Sequence, residues 1–272
     1  MNKKELTANI LSKQSFLCVG LDSDIDKIPK HLLSYPDPVF EFNRQIIDAT
    51  KDSSISYKIN TAFYESRGTK GWDTMERTLH YIPKNILTIA DAKRGDIGNT
   101  ANHYARTFFQ TLPFDAVTLS PYMGEDSIRP FLEFEGKWAI LLGLTSNPGA
   151  TDFQFIQTAD GQKVYQEVIR KCATWGTVDN MMFVTGATRA ELLKDLRAMI
   201  PNHFLLVPGV GAQGGSLEQT YEAAANDAIG MIINSSRDII FADSTENFAE
   251  AARTRALAVQ KQMAGLMSRI TA

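Results

Sequence analysis

The sequence predicts a closed parallel (β/α)8 TIM barrel. Three observations point to it: eight short apolar runs, helical periodicity between successive runs, and polar residues gathered where the runs end. The runs lie at residues 16–21, 55–59, 86–90, 116–119, 138–144, 181–185, 204–207 and 228–233. Each is short and largely apolar, the signature of a strand buried on both faces. Segments of helical period follow at 38–50, 71–82, 99–111, 125–134, 163–174, 189–200 and 217–225, and 245–267 closes the chain. Eight alternations close more economically into a barrel than into a doubly wound open sheet. Residues 1–13 read as an extra polar, amphipathic helix ahead of the first strand. No linker-like break interrupts the series, so residues 1–272 are expected to form one domain.

Composition narrows the function. With 28 Lys and Arg against 31 Asp and Glu, the net charge of -3 argues against a general nucleic-acid binder, so an anionic ligand needs a local basic site. Cys18 sits in an apolar run and Cys172 in a helical one, which reads as two unpaired buried thiols of a reducing compartment. The N-terminal segment lacks an apolar signal core and no apolar run reaches membrane-spanning length, so a cytoplasmic protein is expected. His31, His80, His103 and His203 fall in helical or loop segments and read as surface or helix residues. No metal-ligand spacing is present, and no metal or other cofactor is expected.

In a barrel of this kind the chemistry collects at the C-terminal ends of the strands. The first run ends at Asp22, on the same face as Cys18 and Gly20 by the two-residue period. In Ser56-Tyr57-Lys58-Ile59-Asn60 the same period sets Lys58 and Asn60 on one face and Tyr57 and Ile59 on the other. The third run leads into Asp91-Ala92-Lys93-Arg94-Gly95-Asp96, where Asp91 and Lys93 share a face and Asp96 approaches once Gly95 turns the chain. One such charge would read as a surface ion pair. Asp22, Lys58, Asp91 and Lys93, delivered to one rim by three adjacent strands, read as a site lining a cavity.

The opposite strands supply a complement. Leu144-Thr145-Ser146-Asn147-Pro148-Gly149-Ala150 is a Pro-Gly turn whose Ser and Asn can hydrogen-bond a polar ring. In Pro208-Gly209-Val210-Gly211-Ala212-Gln213-Gly214-Gly215 the glycines let backbone amides approach an oxyanion, with a helix beginning soon after. Asn234-Ser235-Ser236-Arg237 follows the eighth run, and Arg237 offers the fork that grips a phosphate bidentately. Loops after strands seven and eight are where barrel enzymes commonly hold a phosphate, so a phosphorylated substrate is expected. Gly209, Gly211 and Gly214 also fit G-x-G-x-x-G, but no acidic residue ends the next strand to hold a dinucleotide ribose.

At these residues the chain resembles the orotidine 5'-phosphate decarboxylases of the longer bacterial type. The resemblance rests on Val19-Gly20-Leu21-Asp22, Tyr57-Lys58-Ile59-Asn60, the run from Asp91 to Ala101, Ser146 with Pro148-Gly149-Ala150, the stretch from Pro208 to Gly215, and Arg237. The D-x-K-x-x-D element alone is shared with phosphosugar decarboxylases and synthases; the other motifs in this order are more specific. The resemblance implies conversion of orotidine monophosphate to uridine monophosphate and carbon dioxide, the last step of de novo pyrimidine synthesis, in a homodimer. It implies a charged catalytic array of Lys58, Asp91, Lys93 and Asp96, with Asp96 reaching across the dimer interface. Asp22 and Lys58 would hold the ribose with Asn60 beside them, and Ile97 and Thr100 would come from the partner subunit. Ser146 and Gln213 would read the pyrimidine, Pro208 would pack on it, and Gln213 and Arg237 would hold the phosphate, with Gly209, Gly211, Gly214 and Ser236 forming its loops. Shorter members place Gly before the phosphate Arg, where this chain has Ser236.

The chemistry agrees with this. Loss of carbon dioxide from C6 of the pyrimidine leaves a carbanion with no neighbouring carbonyl, so the protein must supply charge directly. Lys93 would be that cation and then the proton donor, kept protonated by Asp91 and Asp96, which disfavours Schiff-base chemistry. Two alternatives are a metal-dependent phosphosugar decarboxylase or aldolase and a non-catalytic nucleotide-binding barrel. The first needs carboxylates free for a cation, whereas here they are interleaved with lysines. The second would be expected to carry an appended effector segment.

Overall fold

A computed structural model describes residues 1–186, 190–210 and 215–269. Among the described residues eight strands run in sequence order around a closed barrel. In chain order the elements are α1 (Lys3–Lys13), β1 (Leu17–Gly20), α2 (Pro38–Thr50), β2 (Ser56–Asn60), α3 (Ala62–Glu65), α4 (Gly68–Tyr81), β3 (Leu87–Arg94), α5 (Gly98–Arg106), β4 (Ala116–Leu119) and α6 (Arg129–Leu132). There follow β5 (Trp138–Leu144), α7 (Ala150–Phe153), α8 (Val164–Cys172), β6 (Met181–Thr185), α9 (Ala190–Met199), β7 (Phe204–Pro208), α10 (Leu217–Ala224), β8 (Met231–Ser235), α11 (Arg237–Ile240) and α12 (Phe248–Met267). No helix among the described residues is long and apolar enough to cross a membrane.

Departures from the expected elements have local causes. β3 runs on to Arg94, whose carbonyl accepts from the Ser120 N–H at 2.8 Å, so the chain stays extended past its apolar stretch. β8 begins at Met231 rather than 228, because Asn226 and Ile229 exchange backbone hydrogen bonds in a turn that places Ile229 and Gly230 at φ of 65° and 60°. The expected helix at 99–111 is α5 followed by a π turn, Thr107–Thr111. The one at 125–134 divides into a 3₁₀ turn, Glu125–Ser127, and the short α6, with Pro130 in its first turn.

The chain clusters into two units, Ala8–Ala92 with Asn234–Ala272 and Met1–Thr7 with Lys93–Ile233. In the first, β1 pairs with β2 at Gly20↔Lys58, and β2 with β3 at Asn60↔Asp91. Helix α2 starts at Pro38 beneath the Asp37 carboxylate, which accepts from the Phe40 N–H. Its buried Phe42 stacks on Phe241 and Phe248 with centroids 5.6 and 5.2 Å away, and the burial of Phe42 contributes about 1.5–3 kcal/mol.

In the second unit β4, β5, β6 and β7 pair in parallel, with a register shift between Leu142 and Leu144. Trp138 packs edge-on against Phe204, and its indole N–H donates to the Met1 carbonyl at 2.8 Å. Arg197 is buried and donates to the carbonyls of Ala224, Ile200, Pro201, His203 and Gly230. Burial, unopposed, pulls its pKa down to about 10. His203 corrects the surface reading: it is buried edge-on against Phe183, and among the described residues neither ring nitrogen has a hydrogen-bond partner. Burial, then the charges of Lys3 and Arg197, lower its pKa to about 4. Cys18 and Cys172 are buried free thiols, as expected.

Candidate active site

In the first unit the two-residue period of β2 turns Lys58 toward the carboxylates on either side. Its ammonium donates to Asp91 Oδ2 at 2.9 Å and to Asp22 Oδ1 at 3.4 Å. Only 5% of Lys58 is exposed. Burial lowers its pKa, but the charges of Asp91 and Asp22 outweigh that and leave it well above the ordinary lysine value. Lys58 is therefore a fixed cation. Cys18, sharing the inner face of β1, has its thiol pushed up to about 12 by burial, so it stays a neutral packing group.

Both sequence neighbours of Asp22 are tied to one buried network. The Tyr64 hydroxyl donates to the Leu21 carbonyl at 3.1 Å and accepts from Asn43 Nδ2 at 2.9 Å. Ser23 donates to Asn43 Oδ1, and Asn43 also donates to Thr78. Tyr64 and Asn43 are fully buried. Sequence reasoning passed over both; the available signal was a tyrosine one turn beyond a strand carrying a lysine. A Cβ at Gly71 would lie 1.8 Å from the Tyr64 carbonyl oxygen, so glycine there is what lets α4 meet α3.

Three further expected residues of this unit lie at or just past strand ends. Asn60 turns its Oδ1 back to the Ala62 N–H at 3.3 Å. Ser236 donates to the Gly20 carbonyl at 2.9 Å, so its hydroxyl is committed to β1. Arg237 opens α11 with its side chain exposed.

In the second unit the decisive feature is the backbone of Lys93, at φ of 47°. Left-handed backbone at a residue other than glycine costs on the order of 1–3 kcal/mol and is held only by its surroundings. The strand nevertheless runs on to Arg94 and ends just ahead of Gly95. Gly95 makes room for a neighbouring strand end, since a Cβ there would come within 3.2 Å of the Ser120 carbonyl oxygen. The Lys93 N–H donates to Thr118 Oγ1 at 2.9 Å. Arg94 lies over the rings of Tyr104 and Phe108, 5.5 and 5.3 Å from their centroids.

Asp96 accepts from the N–H of Ile97 at 2.8 Å. Ile97 is 55% exposed, Tyr122 91% and Met123 45%, and Thr100 is exposed on α5. Ser146 follows β5 in a loop clamped by Gln154, which accepts from the Thr145 N–H at 2.9 Å and donates to its hydroxyl at 2.7 Å. Pro208 ends β7, and Gly209 follows at φ of 94°, a conformation open to glycine. Gly211, Gln213 and Gly214 lie outside the described residues. No group of three His, Cys, Asp or Glu among the described residues could hold a metal ion.

A family model, described as the orotidine 5'-phosphate decarboxylase / HUMPS family, matches residues 15–252. The chain is 57% identical over 267 residues to an orotidine 5'-phosphate decarboxylase of Bacteroides fragilis, covering 97% of each. It is 53% identical over 270 residues to the protein of that name from Flavobacterium johnsoniae, covering 98% of each. Among solved structures it is similar to an OMP decarboxylase of Leishmania donovani, with TM-score 0.80 and 33% identity over 96% of this chain and 99% of that one.

Proposed function

The chain belongs to the orotidine 5'-phosphate decarboxylase family and is a carboxy-lyase, and from that premise we propose a cofactor-independent mechanism in which Lys93 is the proton donor. The C6–carboxylate bond breaks, its electron pair stays on C6, carbon dioxide leaves, and the Lys93 ammonium passes a proton to C6. The reaction needs a cation held beside the developing carbanion. Asp91 and Asp96 flank Lys93 in sequence, and Asp91 also accepts from Lys58. Asp22, Lys58 and Asn60 bind the ribose, Ser146, Pro208 and Gln213 the pyrimidine, and Arg237 with the Gly209, Gly211, Gly214 and Ser236 loops the phosphate. Binding energy from the distant phosphate contributes to the chemical step when it excludes water from the ring.

The observation that carries this reading is Lys58 hydrogen-bonded to two carboxylates, Asp91 on β3 and Asp22 just past β1, with Lys93 two residues beyond Asp91. That is a set of fixed charges, suited to stabilising a carbanion by position rather than by a covalent adduct. The exposed side chains of Ile97, Tyr122 and Met123, next to Asp96 in sequence or on the following loop, favour a homodimer in which Asp96, Ile97 and Thr100 complete the partner's site. Buried free thiols favour the cytoplasm as its compartment, and residues 1–272 are read as one domain. The test is conversion of orotidine monophosphate to uridine monophosphate by purified protein stripped with chelator and given no cofactor. Activity lost on chelation and restored by magnesium would replace this reading with a metal-dependent one.

A further inference from the structure

We propose that Thr118 is a positioning residue for the reaction, holding the backbone of Lys93 in the left-handed conformation that aims its ammonium. This rests on Lys93 being the proton donor. At φ of 47° the Lys93 Cβ crowds its own carbonyl, and such backbone persists only where neighbouring groups fix it. Two contacts do so. Thr118 Oγ1, buried on β4, accepts the Lys93 N–H at 2.9 Å, and one residue further the Arg94 carbonyl accepts the Ser120 N–H at 2.8 Å. In a regular parallel ladder a backbone carbonyl takes each strand N–H. At Lys93, within β3 but at positive φ, the side chain of Thr118 accepts the N–H. Gly95 completes the arrangement by allowing the Ser120 carbonyl its close approach.

The direction of the Cα–Cβ bond at Lys93 depends on that φ, and a four-carbon stem converts a small rotation at Cα into a large displacement at Nζ. Relaxing Lys93 toward ordinary extended backbone therefore moves the ammonium away from its working position while leaving the groups that grip ribose and phosphate in place. Thr118 acts on the chemical step and not on binding.

Thr118→Val keeps the shape and removes the acceptor; Thr118→Ser keeps the acceptor. For orotidine monophosphate, kcat of Thr118→Val should fall about 10- to 100-fold, with KM and the dissociation constant for uridine monophosphate within about twofold of wild type. Thr118→Ser should recover most of kcat. Wild-type kcat in Thr118→Val overturns the proposal, as does an equal loss in the serine variant or a loss that follows Tm across the series. If Thr118→Val does not fold, Thr118→Ala is judged by the same criteria, and if no hydroxyl-free variant folds, Thr118 is a folding residue and the proposal falls. Lys93→Ala serves as the control. Full activity in Lys93→Ala refutes the proton-donor reading itself, whereas an inactive Lys93→Ala beside an unaffected Thr118→Val refutes only the role of Thr118.

Discussion

Ser236 and Gly20 form a fitted pair: the serine hydroxyl donates to the Gly20 carbonyl at 2.9 Å, and a Cβ added at Gly20 would lie 2.8 Å from the serine Cβ. The serine side chain is thus used against β1. Gly20→Ala should therefore destabilise the protein by about 1–3 kcal/mol through overpacking. The double variant Gly20→Ala/Ser236→Gly should recover most of the loss, as coupled neighbours do in a double-mutant cycle. Urea midpoints of the four proteins check this, and strictly additive losses would show that the pair is not coupled.

Arg237 is expected to read the phosphate and nothing else of the substrate. Arg237→Ala removes charge-assisted hydrogen bonds worth about 1.5–3 kcal/mol, so KM for orotidine monophosphate should rise roughly 10- to 150-fold. Unphosphorylated orotidine should be turned over equally by both proteins. A similar loss for the two substrates would place the phosphate elsewhere.

Acid should destabilise the fold through His203. Its folded pKa of about 4 lies below the ordinary histidine value of 6.5, so the unfolded chain takes up a proton first as pH falls. The neutral side chain's contribution is complete above pH 6.5 and is lost progressively between pH 6.5 and 4, amounting to about 1–3 kcal/mol. His203→Phe, which keeps an aromatic ring against Phe183, should flatten this part of the stability–pH profile. Parallel profiles for wild type and variant would rule out His203 as the titrating group.

Complementation tests the composite site. Lys93→Ala and Asp96→Ala homodimers should each be nearly inactive, while a mixed dimer places both lesions in one site and neither in the other. Random reassortment makes half the dimers mixed, so co-refolded mutants should recover about a quarter of wild-type activity per site. No recovery after demonstrated subunit exchange would mean that Asp96 serves its own subunit.

The strands were legible because burial on both faces writes itself as an apolar run; β4, β5 and β6 match their runs to the residue. Lys58 with Asp22 and Asp91 was legible because side-chain alternation along β2 is a local property, and the structure brings the three together. The left-handed backbone of Lys93 was not, since lysine carries no mark of positive φ. Tyr64 and Asn43 escaped for a different reason. Their partners, Leu21, Ser23 and Thr78, lie on three other segments, and a hydrogen bond across such distances in sequence leaves no periodic trace. His203 was misjudged because a histidine's burial depends on what packs over it, here Phe183.

The Gly71–Tyr64 contact sets a limit on how this chain can vary. With the Tyr64 carbonyl oxygen only 1.8 Å from the position of any Cβ at residue 71, and both partners on main chain, no rotamer change relieves the overlap; α3 and α4 would have to separate. In a saturation library position 71 should therefore tolerate almost no substitution, though it bears no charge and belongs to no catalytic motif. Its intolerance would be that of a hinge pin, transmitted through the Tyr64 hydroxyl to the backbone beside Asp22.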